Sequence, residues 1–403
     1  MSLATLLPPD LALPQRDALL DTEALGARLR SWLRLPRDAQ FVRRRAKYRV
    51  GESLRLVIGV RAGERALTIS ARASRDLSVP TRSAYLRYDT DLGAVFRLFP
   101  HDRKLPALRD LTPESPALES MVGRVSRIAL AAYAPEKSAT LRCDDVGGEA
   151  IAYLKTYADA QAESAFATLG ALGARRERLF AMPRAVALDA PRRTLALSPL
   201  RGERLDRLYG ERRVRAFESL GAALASLHSL PPFPSLAPFP RLTPSRLATA
   251  RDLLAHVCPP LAADLTALHA RLRASMQIPR ELTMVHGDVH PKNALLDHDA
   301  IALLDFDQLA LADPACDLGS FLAALEYDRI TSEDAGDAAL LGDAFVSGYA
   351  RVRALPDASR LRWHVAASLL AERGVRALSR LREAGLARLP EIVAAAHAAL
   401  DAR

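Results

Sequence analysis

The sequence predicts an α/β (α+β) chain of two lobes. A small antiparallel sheet comes first and a helical lobe follows, with an additional β-rich region ahead of both. Short apolar alternations broken by Gly, Pro and Asp turns fill much of the chain up to residue 157. Beyond it, apolar residues recur mostly at helical spacing. Between the lobes, an apolar strand ends in Ser198-Pro199-Leu200-Arg201-Gly202, as a hinge would. With 403 residues, 49% hydrophobic and 26% charged, the chain can form two to three units with a sizeable core.

Residues 1–120 read as an accessory, cap-like region. Compared with the following segment at a fixed offset of 85 positions, Tyr48 meets Tyr133, Ser53 meets Ser138, and Gly63-Glu64 meets Gly148-Glu149. Both copies read strand, turn, strand, Gly-Glu turn, strand, with Ser70 at the position of Lys155. Residues 121–200 form the second unit. Strands are expected over 126–132, 139–143 and 150–157, and a helix carrying Phe166, Leu169 and Leu172 begins near Asp159. The first two strands join through Ala134-Pro135-Glu136-Lys137-Ser138, and no glycine-rich GxGxxG loop precedes the lysine strand.

Residues 201–403 form the helical lobe. A helix is expected over 214–230, followed by a stretch holding Pro231, Pro232, Pro234, Pro238, Pro240 and Pro244, which excludes helix and central strand. Leu261, Leu265, Leu268 and Leu272 mark the next helix. Leu361, Val365, Leu369 and Leu378 mark the C-terminal core, with Trp363 and His364 as packing residues.

The chemistry concentrates in residues 284–321, MVHGDVHPKNALLDHDAIALLDFDQLALADPACDLGSF. His286-Gly287-Asp288 is followed at Asn293 by an amide, then by an apolar strand and Asp305-Phe306-Asp307. A hairpin turning at Asp297-His298-Asp299 would bring Asn293 and Asp305 together over one metal. Phosphoryl transfer is mainly positioning and charge neutralisation. It needs a carboxylate beside the attacking hydroxyl and hard oxygen ligands for magnesium. The offset from Asp288 to Asn293, with an Asp after the next strand, follows the protein-kinase order of base and two metal ligands.

On these residues the segment resembles the aminoglycoside phosphotransferase and choline kinase-like family of small-molecule kinases, marked by HGDxxxxN and an aspartate-bearing strand. The resemblance implies a bilobal protein-kinase-like fold with ATP and Mg2+ as cofactors. It assigns Asp288 as catalytic base and Asn293 and Asp305 as metal ligands. Lys155, with Glu163 as its ion-pair partner, and Ser138 in the turn would bind the nucleotide. Asp317, in Asp313-Pro314-Ala315-Cys316-Asp317-Leu318, would brace the catalytic loop. Asp307 stands where protein kinases have Gly and reads as capping or positioning, and His290 as a solvated loop residue. The acceptor is a hydroxyl of an aminoglycoside-, amino-alcohol- or sugar-type molecule. The N-terminal region is distantly similar to that of maltokinases, which keeps a sugar kinase open. A non-catalytic nucleotide-binding pseudokinase or scaffold is the alternative from another class, and the intact residue set opposes it.

Composition narrows the setting. No apolar run reaches membrane-spanning length, no export signal opens the chain, and Cys143, Cys258 and Cys316 lack metal-type spacing. A cytoplasmic protein is the simple expectation. Aromatic residues at 5% argue against nucleic-acid stacking platforms. Residues 1–124 hold 22 Lys+Arg and 14 Asp+Glu, densest at Arg43-Arg44-Arg45-Ala46-Lys47. That cluster is compatible with an anionic partner or with a solvated basic strand.

Overall fold

The structure, a computed structural model, describes residues 3–77, 83–239, 241–332 and 337–402. The chain divides into two compact units. One holds residues 1–164, 186–197 and 378–383; the other holds 165–185, 198–377 and 384–403. The expected hinge coincides with the crossing at Leu197–Ser198, whereas residues 1–120 and the second sheet lie in the same unit.

In the first unit, strands β1 (Gln40–Arg49), β2 (Ser53–Ala62), β3 (Arg65–Ser74), β4 (Leu86–Asp89) and β5 (Ala94–Leu98) form an antiparallel sheet in the order β1-β2-β3-β5-β4. Strands β6 (Arg127–Ala134), β7 (Ser138–Asp144), β8 (Ala150–Tyr157), β9 (Ala185–Asp189) and β10 (Thr194–Leu197) repeat that order as β6-β7-β8-β10-β9. The first hairpins share one register: Tyr48 faces Leu54 as Tyr133 faces Ala139. In the third strand the fixed offset fails, because the β7–β8 hairpin is two residues shorter than the β2–β3 hairpin: Ser138 pairs with Tyr157 where Ser53 pairs with Ser74. Arg55 pairs with Arg72 where Thr140 pairs with Lys155, so the counterpart of Lys155 is Arg72 and not Ser70.

Alternation sorts the first sheet into two faces. Tyr48, Leu54, Leu56, Ile58, Ile69 and Phe96 share the buried apolar face. On that sheet packs the helix Thr22–Leu33, whose first turn is capped by the Asp21 carboxylate accepting from the N–H groups of Glu23 and Ala24. The opposite face places Lys47, Arg55 and Arg72 side by side on one rung, and Arg45 and Arg97 on the next. Like charges on adjacent strands repel, so such a face requires an anion.

The chain supplies that anion itself. Glu136, at the β6–β7 turn, accepts hydrogen bonds from Arg72 at 3.0 and 3.1 Å and from Arg103 at 3.0 and 3.2 Å, with Arg55 at 3.8 Å. Burial alone would raise its pKa, yet Arg103 and Arg72 bring it down to about 2. Lys47 is pushed down to about 8 by burial and by Arg380, Arg49, Arg45 and Arg55. Arg45 donates to the Tyr133 carbonyl at 3.4 Å, and Arg43 lies 3.5 Å from Glu383. Arg43, Arg45, Arg55, Arg72 and Arg103 thus meet acceptors within the chain, and the expected anionic partner at the basic N-terminal region gains no support. Beneath the turn, Val57, Leu105, Leu108 and Leu118 share one apolar cluster with Tyr133, Leu141 and Leu154, so the two sheets have a common core.

The second unit is mainly helical. Its longest helix, Gly210–Ser229, lies against Ala338–Ala350. Glycine makes that approach possible: a Cβ on Gly221 would collide with the Phe345 carbonyl, and one on Gly348 with that of Glu218. The Pro-rich stretch is irregular up to Thr243, whose side chain accepts from the Arg246 N–H and caps the helix Pro244–Val257. Pro244 is thus helical after all, at the first position, where its missing N–H does no harm; Pro240 lies outside the described residues. Trp363 is buried and donates from Nε1 to the Leu272 carbonyl at 2.9 Å, as a packing residue should. Among the described residues no helix is long and apolar enough to cross a membrane.

Two outcomes follow from this packing. Gly348→Ala should destabilise the protein by about 1–3 kcal/mol through overpacking, read by urea unfolding. Glu136 has a depressed folded pKa, so its contribution to stability is present above about pH 4.5 and is lost as pH falls towards about 2. The stability gap between the native chain and Glu136→Gln should therefore shrink between pH 6 and pH 3; a gap that stays constant would contradict the ion-pair origin.

Candidate active site

The site of the second unit is built from the strand Thr283–Val285 and the hairpin of Ala294–Asp297 and Ala300–Leu303. Thr283–Val285 is buried and pairs with Ala310–Ala312, which fixes where His286 leaves the sheet. Gly287 follows at φ +82, where a Cβ would collide with the Gln308 carbonyl. Only glycine combines that dihedral with so close an approach.

The loop hangs on Asp317, which is fully buried. Its Oδ2 accepts from the His286 N–H at 2.6 Å and its Oδ1 from the Gly287 N–H at 2.9 Å. His228 Nε2 approaches Oδ2 at 3.3 Å, and its Nδ1 lies 2.9 Å from the Tyr349 hydroxyl. Burial would raise the Asp317 pKa, but His228, His286 and Arg241 hold it below the usual carboxylate range. Arg241 donates to the Gly287 carbonyl and reaches Glu372 at 3.1 Å. Nearby Asp313 is held at about 2, because His364, Arg360 and the Ala315 N–H outweigh its burial.

The His286 tautomer follows from its neighbours. Its Nδ1 accepts from the Asp288 N–H at 3.3 Å, so the proton sits on Nε2, which donates to the Leu304 carbonyl at 2.9 Å. That imidazole ties the start of the loop to the end of the following hairpin.

Asp288 emerges half-buried from this anchored loop. Asn293 turns its Nδ2 back onto it, donating to the Asp288 carbonyl at 3.0 Å and to Oδ2 at 3.2 Å. The Asn293 carbonyl accepts from the Leu304 N–H at 2.8 Å, which sets Asn293 beside the step into Asp305. Asp305 has φ +64, a left-handed conformation that Asp tolerates better than most residues, and is exposed. Asp307 is exposed one turn further on. His290 caps the turn Pro291–Asn293 by accepting from the Lys292 N–H. Burial, Arg373 and Lys292 push its pKa down to about 4, so it is neutral at pH 7 and is more than a solvated loop residue.

With its nitrogen committed to Asp288, Asn293 keeps its amide oxygen for another partner. One amide oxygen and one exposed carboxylate are too few for a cage made of protein alone. They fit magnesium, which keeps waters and phosphate oxygens in its shell. No group of three or more His, Cys, Asp or Glu side chains suited to a metal occurs among the described residues, consistent with so sparse a donor set.

In the first unit, Lys155 is half-buried on β8, with Nζ 5.3 Å from the centre of the Tyr157 ring. Glu163 is exposed at the start of the helix Gln161–Gly173. Ser138 opens β7, half-buried. The turn before it offers fewer amides than expected: the Glu136 N–H donates to Asp102 Oδ2 at 2.9 Å, and that of Lys137 to the Ala134 carbonyl.

The sequence profile of the phosphotransferase enzyme family matches residues 138–355. The chain belongs to that family. It is therefore an enzyme, a phosphotransferase with an alcohol group as acceptor, and the matched span runs from the start of β7 through the Asp288 loop into the helical lobe. Among solved structures, the AMP-bound complex of spectinomycin phosphotransferase APH(9)-Ia is 15% identical, with TM-score 0.50, over 70% of this chain and 96% of that one. The same protein with ADP and spectinomycin gives 16% identity and TM-score 0.49 over the same shares. The aminoglycoside phosphotransferase APH(3'')-Id of Streptomyces rimosus is 22% identical, with TM-score 0.45, over 63% and 95%. The first of these shares its fold with this chain. None of the curated proteins compared with the chain matches it.

Arg241, Glu372 and Arg373 support this loop without any local motif to flag them. Replacing Asp317 by Ala would leave two loop N–H groups and the His228 Nε2 buried without their partner. It should cost about 3–5 kcal/mol of stability in urea unfolding. Asp317→Asn, which keeps one acceptor oxygen, should lose less.

Proposed function

We propose that the protein transfers the γ-phosphate of ATP to a hydroxyl of a small molecule, with Asp288 as the catalytic base. The observation that carries this reading is the Asn293–Asp288 pair, in which Nδ2 lies 3.2 Å from Oδ2. It orients one carboxylate oxygen and leaves the other to accept the proton of an incoming hydroxyl. The Asp317-anchored loop fixes that carboxylate before any substrate arrives, which is where a positioning enzyme gains its rate.

Asn293 Oδ1 and the Asp305 carboxylate would hold magnesium. The bound ion would neutralise charge on the transferring phosphates. Lys155, half-buried on a regular strand, is assigned to the nucleotide phosphates, with Glu163 as its ion-pair partner. Ser138 contributes a hydroxyl at the turn. Neutral His290, whose Nδ1 accepts from the Lys292 N–H, cannot serve as a cation for phosphate at pH 7.

The acceptor is a hydroxyl-bearing small molecule of the aminoglycoside, amino-alcohol or sugar type. A panel of these three classes with radiolabelled ATP and magnesium should reveal transfer to at least one. On that acceptor, Asp288→Ala should lower turnover by about 10²- to 10⁴-fold with ATP binding retained. Turnover within a few-fold of the native chain would overturn Asp288 as the base.

A further inference from the structure

We infer that the N-terminal sheet is a clamp on the β6–β7 turn, and that Glu136 is the positioning residue through which it pre-orders that turn for nucleotide phosphates. The inference rests on the nucleotide reading proposed above. It concerns how the first unit prepares its side of that chemistry.

The turn is gripped at Tyr133, Pro135 and Glu136, in each case by side chains from residues 45–103. Tyr133 donates its hydroxyl to Asp102 Oδ2 at 2.7 Å, while its carbonyl accepts from Arg45 at 3.4 Å. The Pro135 carbonyl accepts from Arg55 at 3.4 Å. The Glu136 N–H donates to Asp102 at 2.9 Å, and its carboxylate takes both Arg72 and Arg103. Asp102 is itself locked by the N–H groups of Lys104 and Leu105, at 2.7 and 3.1 Å. Every anchor therefore traces to the accessory sheet or to the segment that leaves it.

Glu136 sits at φ +60, in the left-handed region that glycine occupies readily and glutamate does not. A non-glycine residue persists there only where its surroundings over-determine it. Two guanidinium groups on one carboxylate, side chain 8% exposed, do so here. A glycine-rich loop gains its shape from freedom and must be ordered when ligand binds. This turn, which has no glycine over residues 134–138, is ordered beforehand. A segment already fixed in its bound form binds more tightly, since less freedom is lost on binding.

The register supplies a second, independent observation. Arg72 occupies in the first sheet the rung that Lys155 occupies in the second. In the first sheet the cation of that rung holds a carboxylate, and the carboxylate belongs to the turn next to Ser138. The first sheet is thus a nucleotide-lobe sheet whose cationic rung is occupied by its neighbour's turn.

The test uses the full chain with a fluorescent ATP analogue and magnesium, at a temperature where circular dichroism shows every variant folded. Glu136→Ala, and the pair Arg72→Ala with Arg103→Ala, should each weaken nucleotide binding about tenfold, the scale of one lost charge-assisted anchor. The same variants should raise amide hydrogen exchange over residues 134–140 without nucleotide, and Glu136→Gln, which keeps its acceptor oxygen, should restore part of both. If the native chain binds and the folded variants bind within twofold of it, the clamp is only structural and the inference falls while the nucleotide reading stands. If the native chain binds no nucleotide, the nucleotide reading itself fails and takes the inference with it.

Discussion

Asp317 accepts two successive backbone N–H groups of the loop that carries Asp288, and no solvent reaches it. Burying a carboxylate costs several kcal/mol unless its lone pairs are filled, so the site must close around it or not form. His228 and Arg241 complete that closure from two other segments. The constraint then propagates outward. With both N–H groups aimed inward, Gly287 is forced to φ +82 against Gln308, and the His286 ring is turned to bond Leu304. Asp288 and Asn293 point where they do because the peptide before them has no other arrangement.

The first unit solves a similar problem with the opposite balance of charge. There a sheet face carries an excess of cations, and one carboxylate at a turn tip relieves it. In both units a carboxylate on one segment fixes a loop to distant parts of its unit. The difference lies in solvation. Asp317 is held mainly by backbone donors and a histidine in a dry core, and Glu136 by arginines that keep part of their surface in water. Salt should therefore act more strongly on the second arrangement than on the first.

The legible part of the sequence was its local part. His286, Asp288, Asn293 and Asp305 stand within twenty residues, and each step between them is set by a turn or hairpin whose chemistry is visible in the chain. Asp317 was also legible, because it lies in a short run before a helix. Arg241 and Glu372 were not, since each reaches the loop from a remote segment and carries no pattern of its own. The repeat was half-legible. A fixed offset aligned the first hairpins, but the β7–β8 hairpin is two residues shorter than the β2–β3 hairpin, which moved the equivalence from Ser70 to Arg72. The basic run at Arg43–Lys47 was legible only as charge, since a strand alternates its charges between faces and the acceptors of Arg43 and Arg45 lie on other segments.

The helical lobe carries one further consequence of burial. Residues Leu369–Gly374 form a π-helical turn in which all six are buried, Glu372 and Arg373 included. In an α-helix neighbouring side chains diverge by about 100°, so one of two adjacent charges would ordinarily face water. Here Glu372 takes Arg241 and the Ser320 hydroxyl, while Arg373 donates to Ser320. Burial and Arg376 lower the Arg373 pKa to about 10, and it stays charged at neutral pH. Through Arg241 this network joins the Pro-rich insert to the Gly287 carbonyl. The insert is thus bonded directly to the loop that carries Asp288.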